Sequence, residues 1–189
     1  RRQRVSAMPV QDTGLVAITR RAAYGDVIGA TVIADEVARQ GYDVRLNTLP
    51  QIVASKVFQH HRSITSFGGP DDPCHVNLDD TYERSSLRKT RSAMSLFYEV
   101  AVAQLLRQGI RLRPECNLRP QLRVLPEEVE AARQMMAPFP RPWIAVIPRS
   151  NSWPNRTVPQ EVWSDVAHLV DGTMLWTGTD RIHDQNIVD

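Results

Sequence analysis

The sequence predicts an α/β protein in which parallel sheets are flanked by helices. Short apolar, β-branched segments alternate along the chain with longer segments whose apolar residues recur at helical spacing. This alternation is typical of parallel strands that are joined by helices. The proline-rich segment APFPRP at 137–142 interrupts the alternation, and a second run follows it. We therefore predict two α/β lobes joined by a stiff, extended linker.

The predicted domain organisation follows from these changes in pattern. It comprises an N-terminal extension at 1–12, a first domain at 13–136, the linker at 137–142 and a partial second domain at 143–189.

Each element of the first domain has a local signal. The segment LVAIT at 15–19 is short and apolar, which indicates a buried strand. A helix is predicted at 26–40, because apolar residues recur at helical spacing from Val27 to Val37 and Gly41 favours a helix end. The other predicted elements of this domain are strands at 42–48, 63–68 and 74–80 and helices at 50–58, 90–108 and 125–136.

The second domain repeats the pattern only briefly. Strands are predicted at 143–148 and 173–178, with a helix at 160–170 between them. Two parallel strands cannot cover their own faces. We therefore expect this lobe to be incomplete: either the chain is a fragment, or its second half packs on something else.

Composition limits the class of protein. Hydrophobic residues make up 42% of the chain and charged residues 23%, which predicts a packed core. The net charge of +2 is too small to indicate nucleic acid by itself. Two cysteines, Cys74 and Cys116, argue against a disulfide framework or a zinc site. No segment is typical of a signal peptide or a membrane span, so we expect a cytoplasmic protein.

The arginines are unevenly distributed along the chain, and many of them lie between residues 84 and 123. Such a run is typical of a solvated face. The alternative is a surface that meets an anionic substrate, such as phosphate or a phosphorylated glycan.

The pair Gly25–Asp26 stands between the first strand and the first helix. Glycine gives the backbone freedom to turn and lets a ligand approach closely. Asp26 is either an ordinary helix N-cap or a carboxylate directed at a ligand, because ligands of open parallel sheets bind at the carboxyl ends of the strands. No G-x-G-x-x-G pattern occurs here, so a nicotinamide or flavin site is not indicated.

Two further segments carry candidate chemistry. The loop at 147–159, IPRSNSWPNRTVP, joins a strand to a helix and is either a polar surface loop or an anion site suited to a diphosphate. It lacks the P-loop spacing and lysine. The segment VNLDDTYER at 76–84 contains Asp79, Asp80 and Glu83, which are either paired acids for glycoside hydrolysis or part of a strand end followed by a turn. The histidines show no metal-ligand spacing.

Five segments, in this order, resemble glycosyltransferase family 9, the ADP-heptose:lipopolysaccharide heptosyltransferase group. They are RRAAYGDVIGATVIADEVARQGYDVRL, HVNLDDTYE, RPQLRVLPEEVEAARQMM, WIAVIPRSNSWPNRTVPQEVWSDVAHLV and MLWTGTD. The first resembles the Gly-Asp turn that leads into a Thr-containing helix of the family. The fourth resembles its phosphate loop. The resemblance runs from about residue 13 to the end of the chain.

The resemblance implies two Rossmann-like lobes that face each other across a cleft, the GT-B arrangement. The N-terminal lobe would hold the acceptor and the C-terminal lobe the nucleotide-sugar donor, with no obligatory metal and no cofactor. It also implies that Asp26 is the general base on the acceptor hydroxyl, beside the acceptor-side turn at Gly25.

On the donor side, the resemblance implies that Ser150, Asn151 and Arg156 contact the phosphates and that Gly178 lies beside the nucleotide. Arg156 replaces the lysine usual in the family, and Val158 stands where tryptophan is usual. The chain also stops before the family's later donor-side motif, a Gly/Asp/Thr-rich segment followed by His. We therefore expect weak donor binding or no activity unless that motif is supplied elsewhere.

The expected function is inverting transfer of a hexosyl or heptosyl unit from a nucleotide-diphosphate donor to a hydroxyl of a glycan or lipopolysaccharide-like acceptor. Two alternatives stay open. One is a non-catalytic α/β binding or assembly protein that retains the fold. The other is a DNA-modifying glycosyltransferase, which the arginines between 84 and 123 suggest.

Overall fold

A computed structural model of the protein describes residues 14–21, 23–113, 118–146, 158–176 and 187–188. The contacts divide the chain into two compact units, Arg1–Leu125 and Pro126–Asp189. The elements of the first unit are β1 (Leu15–Thr19), α1 (Tyr24–Arg39), β2 (Asp43–Asn47), α2 (Pro50–Ala54), β3 (Ser66–Gly68), β4 (Val76–Asn77) and α3 (Ala93–Leu106).

The first unit contains a four-stranded parallel sheet in the order β3-β2-β1-β4. Its register aligns the carboxyl ends of the strands. Thr19 lies opposite Asn47 on one side and Asn77 on the other, and Asn47 lies opposite Gly68. Side chains that follow these strand ends therefore meet at one edge of the sheet.

Strand β1 lacks the alternation of apolar and polar residues because both of its faces are covered by the core. Residues 16–19 are buried, as expected for a strand that is covered on both faces. One cluster joins the sheet to α1 and α3, with Ile33 and Phe97 fully buried in it. Gly29 lets the two helices approach closely, because a Cβ at this position would lie 3.3 Å from a side-chain carbon of Met94. A second cluster packs Ile52 of α2 with β2.

The second unit contains a separate parallel sheet. Its elements are α4 (Pro126–Met136), β5 (Trp143–Val146), α5 (Gln160–Leu169), β6 (Thr173–Trp176) and β7 (Ile187–Val188), with the strand order β5-β6-β7. The core of this unit includes Met174 and Trp176, and Trp163 meets Trp176 edge to face with ring centroids 6.2 Å apart.

The α/β architecture with parallel strands predicted from the sequence is confirmed, and it is consistent with a Rossmann-like arrangement. Among the described residues, no helix is both long and apolar enough to cross a membrane.

Several element boundaries differ from the prediction. The helix expected at 50–58 ends at Ala54, because Lys56 has a left-handed backbone with φ 61° that cannot continue a helix. The helix expected at 90–108 begins only at Ala93, where the Ser92 side chain caps it by accepting a hydrogen bond from the Ser95 N–H at 3.1 Å.

The second unit also departs from the sequence-based expectation. Its sheet has a third strand, β7, so the prediction of two strands was wrong. The contacts group α4 with the second unit, whereas the predicted first domain continued to residue 136. No residue of α4 is buried, so this helix belongs to neither hydrophobic core.

Candidate functional site

The candidate site lies at the edge where the strands of the first sheet end. The chain leaves β1 at Thr19 and starts α1 at Tyr24, so the segment between them crosses this edge next to the end of β4. Because the first N–H groups of a helix have no partner inside the helix, the start of α1 presents backbone donors here.

Asp26 is the third residue of α1, and its side chain is 31% exposed. The alternative that Asp26 is the N-cap is wrong. Ala23 occupies that position, and no side chain caps the helix. The Asp26 carboxylate instead faces Arg20, with 3.5 Å between Oδ1 and a guanidinium nitrogen.

Gly25 lies inside the first turn of α1 rather than in a tight turn before the helix. Its backbone is not left-handed, so the expectation that glycine is needed here for a turn was wrong. A Cβ built at this position meets no atom within 4 Å. The space beside the helix start is therefore open, which leaves room for a ligand at the backbone.

Arg20 is the central residue of the site, and its side chain is only 1% exposed. Its guanidinium donates to the carbonyl oxygen of Leu78 at 3.0 Å and to the Glu83 carboxylate at 2.7 and 3.3 Å. It also lies over the ring of Phe97, with 4.8 Å between Cζ and the centroid. A buried cation thus joins β1 to the segment after β4 and holds two carboxylates, those of Asp26 and Glu83.

Glu83 completes the arrangement from the other side of Arg20. Its side chain is 49% exposed. The hydrogen bonds from Arg20 lower the pKa of the Glu83 carboxyl, against the smaller opposing effect of burial. Glu83 therefore remains a carboxylate near neutral pH and orients the guanidinium that faces Asp26.

Asp79 and Asp80 have different roles from Glu83. Asp79 accepts a hydrogen bond from the Arg21 N–H at 2.7 Å and pairs with the Arg21 side chain, which raises the pKa of that guanidinium. Asp80 pairs with Arg84 at 2.9 Å. Both aspartates therefore stabilise the turn after β4. Glu83 is the acid of this segment that shares Arg20 with Asp26.

The predicted donor-side residues Ser150, Asn151, Arg156 and Gly178 lie outside the described residues. Their flanking elements are described: β5 ends at Val146, and α5 begins at Gln160.

Arg20 and its link to Glu83 were missed by the sequence analysis. The only local signal was an arginine directly after an apolar strand, at the edge where ligands of parallel sheets bind. Its burial and its partner 63 residues further along depend on the strand order.

His75 and His61 are the buried histidines of the described chain. His75 is structural, since its Nδ1 accepts the Ala17 N–H of β1 at 2.8 Å. Among the described residues, no group of three or more His, Cys, Asp and Glu side chains is placed to hold a metal ion.

A carboxylate in this setting is chemically able to accept a proton from a group bound beside it. Asp26 is partly exposed at a sheet edge with open space beside Gly25, and the buried Arg20 forms an ion pair with its carboxylate. Comparison of the chain with protein-family models, curated proteins and solved structures finds no match.

Proposed function

We propose that this chain contributes the acceptor-side lobe and part of the donor-side lobe of an inverting GT-B glycosyltransferase. In this proposal a nucleotide-diphosphate sugar donates its glycosyl group to a hydroxyl of a glycan or similar acceptor, anionic acceptors included. The observation that carries the proposal is the position of Asp26. It is a partly exposed carboxylate at the carboxyl edge of a parallel sheet, restrained by the buried Arg20. The resemblance of the segments around it to family 9 supplies the reaction class.

The proposed chemistry divides between the two lobes. The acceptor oxygen attacks the anomeric carbon as the bond to the leaving diphosphate breaks, and the acceptor proton passes to Asp26. Negative charge that develops on the diphosphate would be stabilised by the loop with Ser150, Asn151 and Arg156.

Arg20 and Glu83 act as positioning residues in this scheme. The Arg20 guanidinium lies 3.5 Å from the Asp26 carboxylate and would help to orient it, and Glu83 fixes Arg20 through two hydrogen bonds. Pre-orientation matters because general base catalysis requires the carboxylate within hydrogen-bond reach of the hydroxyl.

A non-catalytic binding or assembly protein is the second candidate, and one observation favours it. A buried arginine between two carboxylates is also a common way to tie two segments of a fold together, with no reaction involved. The DNA-modifying alternative has less support, because three arginines in the basic stretch pair with acids: Arg84 with Asp80, Arg91 with Glu99 and Arg113 with Glu36.

The decisive experiment compares Asp26→Asn with the unsubstituted protein in a transfer assay with a panel of nucleotide-diphosphate sugars, each in the full-length protein and under conditions where the unsubstituted protein turns over. Removing a general base lowers kcat by about 10²- to 10⁴-fold. The acceptor KM should change little, because asparagine retains the shape and one acceptor oxygen. Turnover equal to that of the unsubstituted protein would exclude Asp26 as the base.

Glu83→Gln is the matched control, because it neutralises the other carboxylate on Arg20. We expect a loss of kcat well below that of Asp26→Asn, since Glu83 acts only through Arg20. Calorimetric titration with nucleotide diphosphates separates the two candidate functions. A donor-binding enzyme gives saturable heat that Asp26→Asn leaves intact, whereas an assembly protein gives none.

A further inference from the structure

A groove of about 730 Å³ opens at the opposite edge of the first sheet from Asp26. We call it the His61 groove. It lies between the end of α1, the residues that precede β3 and the segment 119–123. None of the residues of the candidate glycosyl-transfer site lines it.

His61 has an unsatisfied donor beside this groove. Its side chain is 4% exposed, and its Nδ1 accepts the Ser63 N–H at 3.3 Å. In the neutral ring the hydrogen is then on Nε2. This buried Nε2 has no partner in ordinary hydrogen-bond geometry within the described part of the chain, and the Gln121 backbone is only a weaker contact of the same ring. An incoming acceptor would complete the hydrogen bonding of this donor.

Asp35 does not satisfy His61. Its Oδ1 lies 3.9 Å from Nε2, too far for a hydrogen bond, and accepts the Ser63 hydroxyl at 2.5 Å instead. Burial lowers the pKa of His61, against opposing effects of Asp35 and the Gln121 backbone, so the ring is neutral at neutral pH.

The charges around the groove favour an anion. Four arginines line it, against two acids, Asp35 and Glu36. Glu36 is buried and pairs with both Arg39 and Arg113, so its charge is compensated. Over the described ranges, Arg62 and Arg123 form no ion pair with any acid. The other two lining arginines are Arg39 and Arg119.

We propose that the His61 groove is a second ligand site that binds a phosphate group, either free or as a phosphomonoester. The His61 Nε2–H would donate to a phosphate oxygen, and Arg62 and Arg123 would supply the charge. Arginine side chains suit this ligand, because their planar donors match the spacing of phosphate oxygens. Phosphate binding in this groove does not depend on glycosyl transfer at Asp26.

The test is calorimetric titration of the protein with inorganic phosphate and, separately, with glucose 6-phosphate, with glucose as the uncharged reference. We expect saturable binding of at least one phosphate ligand and none of glucose. The double variant Arg62→Gln/Arg123→Gln should weaken that binding about tenfold or more. Comparison of the two phosphate ligands shows whether the site prefers the free ion or the ester.

The matched control is Arg107→Gln/Arg111→Gln, which removes the same charge from exposed positions outside the groove. We expect its affinity to stay within about twofold of the unsubstituted protein. A similar loss in both double variants would show only non-specific attraction, and the proposal would be wrong. Absence of saturable phosphate binding to the unsubstituted protein would overturn it equally.

The imidazole ¹⁵N spectrum provides a readout that does not require a substitution. Phosphate should shift the His61 Nε2 resonance in proportion to site occupancy, while the His75 resonances stay in place. Phosphate binding that leaves the His61 signal unmoved would exclude His61 as a donor.

Discussion

Replacing Arg20 by methionine tests whether the buried guanidinium stabilises the first unit by joining β1 to the segment that follows β4. Methionine keeps most of the apolar stem but removes the charge and the hydrogen bonds. The Leu78 carbonyl oxygen loses its donor, which costs about 1–3 kcal/mol. The lost contact with the Phe97 ring adds about 1 kcal/mol.

The ion pairs contribute less than their number suggests. Glu83 is half exposed and can rehydrate, so its pair with Arg20 adds at most about 1 kcal/mol. Removing a buried charge also relieves its desolvation cost, which acts in the opposite direction. The balance is about 3 kcal/mol of lost stability. With a denaturant slope of about 2 kcal/mol/M, the urea midpoint of the first unit should fall by about 1.5 M.

The chain offers a way to separate the two units in this assay. All four tryptophans follow residue 142 and lie in the second unit, whereas far-ultraviolet circular dichroism follows both units. In Arg20→Met, the urea midpoint followed by circular dichroism should therefore fall more than the midpoint followed by tryptophan fluorescence.

Arg21→Met is the control, because Arg21 pairs with Asp79 and Asp71 while 41% of its side chain is exposed. An exposed pair is worth about 0–1 kcal/mol, so its midpoint should move by no more than about 0.5 M. If Arg20→Met were as stable as the unsubstituted protein, or if the two variants lost the same stability, burial of Arg20 would not have the energetic role assigned to it.

Three other outcomes follow from the structure. Burial lowers the pKa of His75 below its unfolded value near 6.5, so the stability tied to its neutral ring is present above about pH 6.5 and is lost as the pH falls towards the folded-state pKa. The free energy of unfolding measured in urea should therefore fall less between about pH 8 and pH 5 in His75→Gln than in the unsubstituted protein. His61 contributes to this pH dependence with the same sign. An unchanged dependence of the unfolding free energy on pH in His75→Gln would contradict this. Gly25→Ala should leave the midpoint unchanged or raise stability by up to about 1 kcal/mol, because the added methyl meets open space and alanine favours a helix. Under the proposed function, it should also reduce acceptor binding measured by calorimetry. Gly172→Ala should destabilise the second unit by about 1–3 kcal/mol in tryptophan-detected unfolding, because its Cβ would lie 2.4 Å from the Pro142 carbonyl oxygen; a neutral result would show that this backbone contact can relax at no cost.

Much of the fold could be predicted from short-range pattern. The strand LVAIT occupies the residues expected, and α1 and α5 differ from their predicted bounds by two residues or fewer at each end. These elements follow from local burial periodicity, which a single sequence shows directly. The position at which a helix ends depends less on local sequence. The apolar pattern of α2 continues to residue 58, but the helix ends at Ala54 and Phe58 packs in the core from outside it.

The position of Asp26 could be anticipated, because a residue that follows a strand and opens a helix in a parallel sheet lies at the carboxyl edge. Its partners could not. Arg20 meets Glu83 only because β4 lies beside β1 in the order β3-β2-β1-β4, and no periodicity in the chain specifies that neighbour. The His61 groove has the same origin, since Asp35, His61 and Arg123 come from three distant segments. Local sequence encodes which face of an element is buried, whereas strand order and chain packing determine which buried charges face each other.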